Sequence, residues 1–373
     1  MTRKHKSLEK VRERLESSFV RFLASTRGRR VAIIHDADPD GLCSAVIISK
    51  LIEAVRGRSP ELVISEPERR PNKATISKLK RARISMVITT DLALDQLKNI
   101  VKSISSFARL LILDHHPLYS KTIKNGLLIK PQLFSTKEAA SYCSSKLAYD
   151  FGMTVADISS FDWIAAIGIV ADAGYNCWKG FVQKAAAKKR LRIGKDVWRS
   201  AFGKAANAIQ SAIKYSKDGV KKCWKVVYDA KSPLEIINAF KLITKKMNDD
   251  LKGHLKRFDI AVRNTPPGEI VFYDASSPLK ISSTLSTIAA FRHPHRTLIV
   301  YRRADGWWDV SGRRSDKKVK VNALLDRAVR GIAQAAAGGH IPAAGARIPR
   351  RAWHRFLERL KAFSKLHERL FKV

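Results

Sequence analysis

Apolar residues along this chain fall into two patterns. Short uninterrupted runs alternate with longer stretches in which apolar positions recur every three or four residues. Val31-Ala-Ile-Ile34, Leu62-Val-Ile-Ser65, Met86-Val-Ile-Thr89, Leu110-Leu-Ile-Leu113 and Gly126-Leu-Leu-Ile129 are of the first kind. Runs this short and this apolar suit strands buried on both faces. The spacing between and after them predicts helices over about 41–55, 76–82, 94–104, 137–151 and 161–171. Such alternation predicts an α/β fold with a parallel, doubly wound sheet over roughly residues 28–175. An amphipathic helix over 3–24 precedes it, with Leu8, Val11, Leu15, Val20 and Leu23 on one loose stripe.

Helical patterning continues to about Lys256, and Pro266-Pro267-Gly268 then signals a turn. Strand-like Glu269–Tyr273, a helix over 281–291, Thr297–Tyr301, a hairpin at Asp305-Gly306 and Trp307–Ser311 follow. They predict a smaller, second α/β unit. Residues 349–373 read as a basic helix carrying Trp353, Phe356, Leu360, Phe363 and Leu370. The expected division is therefore an N-terminal basic helix (1–27), an α/β domain (28–177), a basic helical connector (178–256), a smaller C-terminal domain (257–348) and a terminal basic helix (349–373).

Composition narrows the class. The chain has 373 residues, 45% of them hydrophobic, which excludes wholesale disorder and supports more than one domain. Its four cysteines (Cys43, Cys143, Cys177, Cys223) form no C-x-x-C pair, which excludes a disulfide scaffold or a Cys-rich zinc module. No apolar run approaches the roughly 18 residues that span a bilayer, and the N-terminus lacks a signal-type apolar segment. A cytoplasmic protein without membrane attachment is expected.

Charge changes the picture most. Lys and Arg number 71 against 33 Asp and Glu, a formal net charge of +38. A surplus of this size repels itself unless anions screen it. Nucleic acid is the leading partner, since phosphate neutralisation gives strong, sequence-independent affinity. A membrane surface and a merely supercharged surface are the rivals. Between Trp178 and Val226 there are 14 Lys/Arg and 2 acidic residues, with Trp178, Trp198 and Trp224 among them. This stretch reads either as a nucleic-acid-facing surface or as a solvated region whose Trp rings pack inward.

The scarce carboxylates fall where strands end. The first strand runs into His35-Asp36-Ala37-Asp38-Pro39-Asp40-Gly41, the third into Asp91, the fourth into Asp114-His115-His116-Pro117, and the helix ending Gly168-Ile-Val-Ala171 delivers Asp172. In open α/β sheets the ligand site lies at the carboxyl ends of the strands. Asp residues at alternating positions repel strongly unless cations neutralise them, and added His favours Mn²⁺, Zn²⁺ or Fe over Mg²⁺ or Ca²⁺. There are ligands enough for two metals, an arrangement that can clamp both oxygens of a phosphoryl displacement. Taken singly, each Asp reads equally as a turn or helix-cap residue. No G-x-x-x-x-G-K-[ST] and no G-x-G-x-x-G follows a strand, so nucleotide-triphosphate and dinucleotide sites lose support.

D-x-D-x-D-G, an isolated Asp after an apolar strand, D-H-H-P and an Asp after G-I-V-A, in that order, resemble the DHH phosphoesterase superfamily. Gly338-Gly339-His340-Ile-Pro-Ala343-Ala344-Gly345 resembles the G-G-H-x-x-A-A-G signature of the DHH-associated C-terminal domain, and Ser311-Gly312-Arg313-Arg314-Ser315 resembles the S-x-R-S element before it. The resemblance covers about residues 28–175 and 256–346. It implies two divalent ions, Mn²⁺ foremost with Mg²⁺ or Co²⁺ as alternatives. Asp40, His115 and Asp172 would hold one, Asp38 and Asp36 the other, and Asp91 would bridge them. The family has a His or Asp at the Asp36 position, and His35 beside it leaves open which of the two faces the metals. His116 would contact the scissile phosphate and help protonate the leaving oxygen, with Asp114 orienting an imidazole. Ser311, Arg313, Gly338, Gly339 and His340 would grip a substrate phosphate, with Arg313 favoured over Arg314 by spacing.

The function so implied is a manganese-dependent phosphodiesterase that removes nucleotides from an end of single-stranded DNA or RNA with a metal-activated water, similar to RecJ-type exonucleases. The +38 charge favours a polymer over the alternative of a short oligonucleotide or cyclic dinucleotide. Pyrophosphatase relatives lack the G-G-H element. A non-catalytic replisome scaffold, the reading from another class, would have lost metal ligands that this chain keeps. Replication or repair proteins are expected partners. Strand polarity and oligomeric state are not written in the sequence.

Overall fold

The computed structural model describes residues 3–67, 69–216 and 218–373. The chain forms two compact units, residues 1–244 and 245–373. In the first, α1 (Arg3–Ala24), β1 (Val31–Asp36), α2 (Pro39–Arg56), β2 (Leu62–Glu66), α3 (Lys73–Arg81), β3 (Met86–Thr90), α4 (Lys98–Ser105), β4 (Arg109–Leu113) and β5 (Gly126–Ile129) are followed by helices only. These are α5 (Ser144–Gly152), α6 (Asp162–Ala171), α7 (Tyr175–Lys188), α8 (Ala201–Tyr215), α9 (Gly219–Asp229), α10 (Pro233–Ala239) and α11 (Lys241–Asn264), within which the division between units falls.

The five strands make one fully parallel sheet in the order β2-β1-β3-β4-β5. Alternate side chains of each strand enter two cores. Ile33, Ile88 and Leu111 pack under α2, α5 and α6, while Ala32, Ile34, Val87 and Leu110 pack under α3 and α4. That is why the strands read as unbroken apolar runs.

The structure departs from the sequence expectations at several points. On α1 the buried residues are Leu15, Phe19, Phe22 and Leu23, whereas Val20 is only half-buried. The expected helix over 94–104 is a 3₁₀ turn, Leu94–Gln96, and then α4. The helix expected over 137–151 begins only at Ser144, because residues 139–141 form a separate 3₁₀ turn that brings the start of α5 toward the strand ends. The basic residues 178–244 belong to the first unit: Phe202, Ile209, Val227 and Ile236 join the core that contains α2 and α6. Most of their Lys and Arg side chains face solvent. The three tryptophans divide. Trp178 donates its indole N–H to the Ser141 carbonyl, Trp224 stacks on Tyr228, and Trp198 is 52% exposed.

The second unit adds β6 (Val271–Asp274), α12 (Ser282–Arg292), β7 (Leu298–Ala304), β8 (Trp307–Arg313), α13 (Val321–Val329), β9 (Ala336–His340), β10 (Ala343–Pro349), α14 (Trp353–Ser364) and α15 (His367–Leu370). Its sheet runs β6-β7-β8-β10-β9, parallel at β6/β7 and antiparallel elsewhere. The expected terminal helix is broken after Ser364. Phe356 and Leu360 are buried, but Leu370 is 46% exposed.

Local chemistry fixes the joint that matters most for the site. Pro39 opens α2, and Asp38 caps it by accepting from the Gly41 amide at 2.9 Å. The first turn lies so close to β1 that a Cβ on Gly41 would sit 2.6 Å from the Asp36 carbonyl oxygen and 2.9 Å from its Cβ. Helix propensity alone would favour Ala here by about 1 kcal/mol. Gly41→Ala is nevertheless expected to destabilise the protein by about 1–3 kcal/mol through overpacking. Denaturant unfolding measures it, and an unchanged or raised midpoint would show that α2 has room to move.

Candidate metal centre

Adjacent parallel strands deliver the carboxylates to one place. β1 ends in Asp36, β3 is followed by Asp91, and β4 by Asp114, His115 and His116. The first turn of α2 adds Asp38 and Asp40, and the residue capping α6 is Asp172. Asp91 has a left-handed backbone, φ 62, which Asp tolerates better than most residues. Its amide donates to the Leu113 carbonyl at 3.0 Å, which ties it to the end of β4.

Three overlapping groups result, each with one ligand atom per residue and all of these within 4.8 Å of one another: Asp36, Asp38 and Asp91; Asp40, His115 and Asp172; Asp91, His115 and His116. His115 Nε2 stands 3.3 Å from Asp91 Oδ1, and its Nδ1 stands 3.5 Å from Asp172 Oδ2. That Nδ1 and that Oδ2 are buried without a hydrogen-bond partner among the described residues. A carboxylate oxygen and an imidazole nitrogen, both buried, unpartnered and facing each other at this spacing, are lone-pair atoms that a cation would satisfy, and carboxylate with imidazole suits a divalent transition ion. The donor set therefore fits divalent metal. His35 is not part of it. Its side chain lies on the other face of β1 from Asp36, buried, with Nδ1 2.7 Å from the Asp36 carbonyl, and burial lowers its pKa to about 4.

Electrostatics report the crowding. Burial and then the neighbouring Asp38 raise the Asp36 carboxyl to about 7. Burial and Asp40 raise Asp172 to about 7 as well. Asp91 is also driven upward, by burial, Asp38 and Asp40. Burial pulls His115 down, but its hydrogen bond to Asp91 and the charges of Asp91, Asp40 and Asp172 outweigh that and lift it to about 10. Arg69, on the loop after β2, supplies a counter-charge, with Nε 2.7 Å from Asp36 Oδ2 and Nη2 3.5 Å from Asp38 Oδ2.

Several residues here escaped the sequence reading. The Ser144 and Ser145 amides, at the start of α5, donate to the two oxygens of Asp40 at 2.7 and 3.0 Å, and Ser144 Oγ donates to Asp91 at 3.1 Å. A helix N-terminus is a natural seat for a carboxylate. Arg69, Asp95, Lys130 and Gln132 were missed too. The available signal was a charged residue set at the end of an apolar run, as Lys130 is after Leu127-Leu-Ile129. The loop bearing the two histidines is internally bonded: Asp114 Oδ1 accepts the His116 amide at 3.3 Å and lies 2.7 Å from its Nδ1. Burial alone would raise Asp114, but hydrogen bonds and charge from His116 and Lys130 hold it at about 2. An ionised carboxylate only accepts, so Nδ1 carries the proton and Nε2 is the free end of the ring.

The C-terminal candidates form their own group in the second unit. Across β8, β10 and β9, Arg313 pairs with Ala343 and Ala343 with His340, while Ser311 pairs with Gly345 and Gly345 with Gly338. Paired residues share a sheet face, so Ser311, Arg313, Gly338 and His340 lie around a floor of Ala343 and Gly345. Gly338 and His340 are exposed, and Gly339, φ 136, turns the edge strand where a Cβ would meet the Ala343 carbonyl at 2.6 Å. Arg314 is buried and committed to Asp316 at 2.8 Å and Glu368 at 2.7 Å. Arg313 has no acidic partner among the described residues, so Arg313 is the one free to meet an anion.

The fold and this cluster place the chain in a family. Residues 30–168 match the DHH family, N-terminal domain, and residues 275–372 match the DHHA1 domain. Together these cover well over half of the chain, which belongs to the DHH family with a RecJ-like architecture. No curated protein matches the sequence. Among solved structures, an exonuclease RecJ bound to manganese is similar at TM-score 0.70, with 17% identity over 94% of either chain. The DHH domain of PF0399, a member of the s1p family of ribosomal proteins, is similar at 0.69, with 13% identity over 100% of this chain and 93% of that one. CDC45 from Entamoeba histolytica is similar at 0.59, with 12% identity over 96% and 98%. Identities this low establish the fold.

The raised carboxyls set a pH trend for the metal-free protein. A group whose pKa is higher folded than unfolded favours folding at low pH, and that contribution is lost as pH rises through the folded value. Asp36 and Asp172 act in this sense between about 4 and 7, and His115 between about 6.5 and 10. Asp172→Asn is therefore expected to gain stability relative to wild type as pH rises from 5 to 8 in chelator. Thermal melts at both pH values measure it, and a parallel shift would disprove the crowding.

Proposed function

We propose that this protein is a DHH-family phosphodiesterase that binds two divalent ions, Mn²⁺ foremost, and hydrolyses single-stranded DNA or RNA from an end. The observation that carries the reading is the trio of Asp/His groups joined through Asp91 and His115 at the strand ends. Asp36, Asp38 and Asp91 would hold one ion, and Asp40, His115 and Asp172 the other, with Asp91 shared. When bound, the ions supply Lewis-acid polarisation of the phosphate and an acidified water.

The chain's own residues do the rest. The amides of Ser144 and Ser145 fix the Asp40 carboxylate, and the φ 62 backbone of Asp91 aims its carboxylate into the cluster. His116, held by Asp114 through Nδ1–H, presents Nε2 to the leaving oxygen; as the doubly protonated imidazolium, which the Asp114 carboxylate stabilises, it hands the Nε2 proton over and is left as the neutral Nδ1–H ring. Arg313, Ser311, Gly338, Gly339 and His340 offer a cationic, glycine-floored seat for a second phosphate of the substrate. The net charge of +38 and the exposed lysines of α7 and α9, with Lys204 of α8, favour a polyanion over a dinucleotide. The Asp and His donors are all present, which favours catalysis over a scaffold role alone. Among the described residues no helix is long and apolar enough to cross a membrane.

The test is a Mn²⁺ digestion series on end-labelled single-stranded DNA, RNA, a dinucleotide and a cyclic dinucleotide. Stepwise shortening of the polymers is expected, with weaker turnover of the short substrates; exclusive cleavage of the dinucleotides would replace the exonuclease reading with the alternative. Asp91→Ala and His115→Ala are each expected to abolish hydrolysis in a folded protein, whereas His340→Ala is expected to weaken substrate engagement and leave Mn²⁺ binding intact. Polymer affinity is expected to fall steeply with salt, at a log–log slope of about −0.7 per phosphate neutralised on a single strand. A flat response would point to small-molecule substrates.

A further inference from the structure

Lys130 follows β5 directly and is fully buried, with 0% side-chain exposure. Its ammonium lies 2.8 Å from Asp95 Oδ1 and 2.8 Å from Asp114 Oδ2, both carboxylates also at 0% exposure. Neither oxygen has a hydrogen-bond partner among the described residues, and Lys130 is the cation that faces both. The same ammonium donates to the carbonyls of His116 at 3.2 Å and Pro117 at 2.8 Å. Gln132 Nε2 adds a bond to the His116 carbonyl at 2.9 Å. The second oxygen of Asp95 accepts the amides of Tyr119 and Ser120 at 2.8 and 3.2 Å. Through Asp95 and Lys130 the loop is therefore tied to the end of β5 at 114, 116, 117, 119 and 120. A buried ammonium between two carboxylates is a costly arrangement that an apolar side chain could replace if filling space were its only task.

We infer that Lys130 is a positioning residue for His116: it clamps Asp114 and the carbonyls of His116 and Pro117, and so fixes where the imidazole presents Nε2. The inference rests on His116 serving the leaving oxygen in the reaction proposed above. Lys130 itself is walled off from substrate and acts through Asp114. Its ammonium holds Oδ2 while Oδ1 holds the imidazole N–H. The two oxygens of one carboxylate thus relay a fixed point at the end of β5 to the ring.

The experiment compares wild type, Lys130→Met, His116→Ala and the double variant, each loaded with Mn²⁺, on two substrates. One is end-labelled single-stranded DNA. The other is the p-nitrophenyl ester of thymidine 5′-phosphate, whose p-nitrophenolate leaves without a proton. Lys130→Met is expected to lower kcat on DNA by about 100-fold, within the range of a general acid's contribution, with KM little changed and far less loss on the ester. In the His116→Ala background it should cost little more, because both changes remove one function. Mn²⁺ affinity, read by calorimetry without substrate, should be retained. Equal losses on both substrates, additive losses in the double variant, or lost Mn²⁺ binding would each overturn the positioning role. Should Lys130→Met fail to fold, Lys130→Arg takes its place. The larger planar fork must displace the loop, and the same leaving-group-selective loss is expected. Wild type inactive on both substrates would overturn the phosphodiesterase reading instead, leaving the two failures distinct.

Discussion

Repulsion among carboxylates at the ends of adjacent parallel strands is the constraint on which the rest of the first unit turns. Asp36, Asp40 and Asp91, which are buried, converge with the half-buried Asp38 and Asp172, and charges a few ångströms apart in such surroundings interact by several kcal/mol each. The protein answers with partial compensation at each point: Arg69 beside Asp36 and Asp38, His115 between Asp91 and Asp172, and the start of α5 on Asp40. The compensation is incomplete, since several of these carboxyls still titrate far above their ordinary range. A site left short of positive charge by its own fold is prepared for cations from outside.

That constraint explains why two otherwise dissimilar features sit where they do. Gly41 lets α2 begin so close to β1 that Asp36, Asp38 and Asp40 share one corner. The delayed start of α5 at Ser144, preceded by a 3₁₀ turn, aims two free amides at Asp40. Helix starts are the cheapest source of fixed positive potential in a backbone, and using one spares the site a lysine that would compete with a metal.

Legibility in the sequence followed the range of the interaction. The five strands were readable because burial on both faces leaves an unbroken apolar run, and all five lie within a residue or two of the reading. The grouping of Asp36, Asp38, Asp40, Asp91, His115 and Asp172 was foreshadowed because each lies within two residues of the end of a strand or helix. The choice between His35 and Asp36 was not, since it depends on strand phase, and the pleat sends successive residues to opposite faces. Motif spacing favoured Arg313 over Arg314, but the contact that engages Arg314, to Glu368 far along the chain, was not readable. The helix predicted over 137–151 was too long because local periodicity cannot register the 3₁₀ turn at residues 139–141, whose Ser141 carbonyl accepts the indole N–H of the distant Trp178.

The basic excess takes on a different meaning once the acidic residues are placed. Arg69 and His115 stand beside the carboxylates and the half-buried Lys214 of α8 lies within electrostatic reach of Asp38, while the other lysines of α7, α8 and α9 stay on the solvent side and the opposite faces of these helices fill the core with Phe202, Ile209 and Val227. Lysines on such a surface attract a polyanion without fixing its position, because each is a hydrated point charge on a flexible stem. Under the proposed function, position would have to come from rigid donors, such as Arg313 beside its glycine floor and His116 behind Asp114 and Lys130. On the proposed function, capture and registration would therefore be separate tasks carried by separate residues, and a loss of surface charge should lower affinity without altering which phosphate reaches the carboxylates.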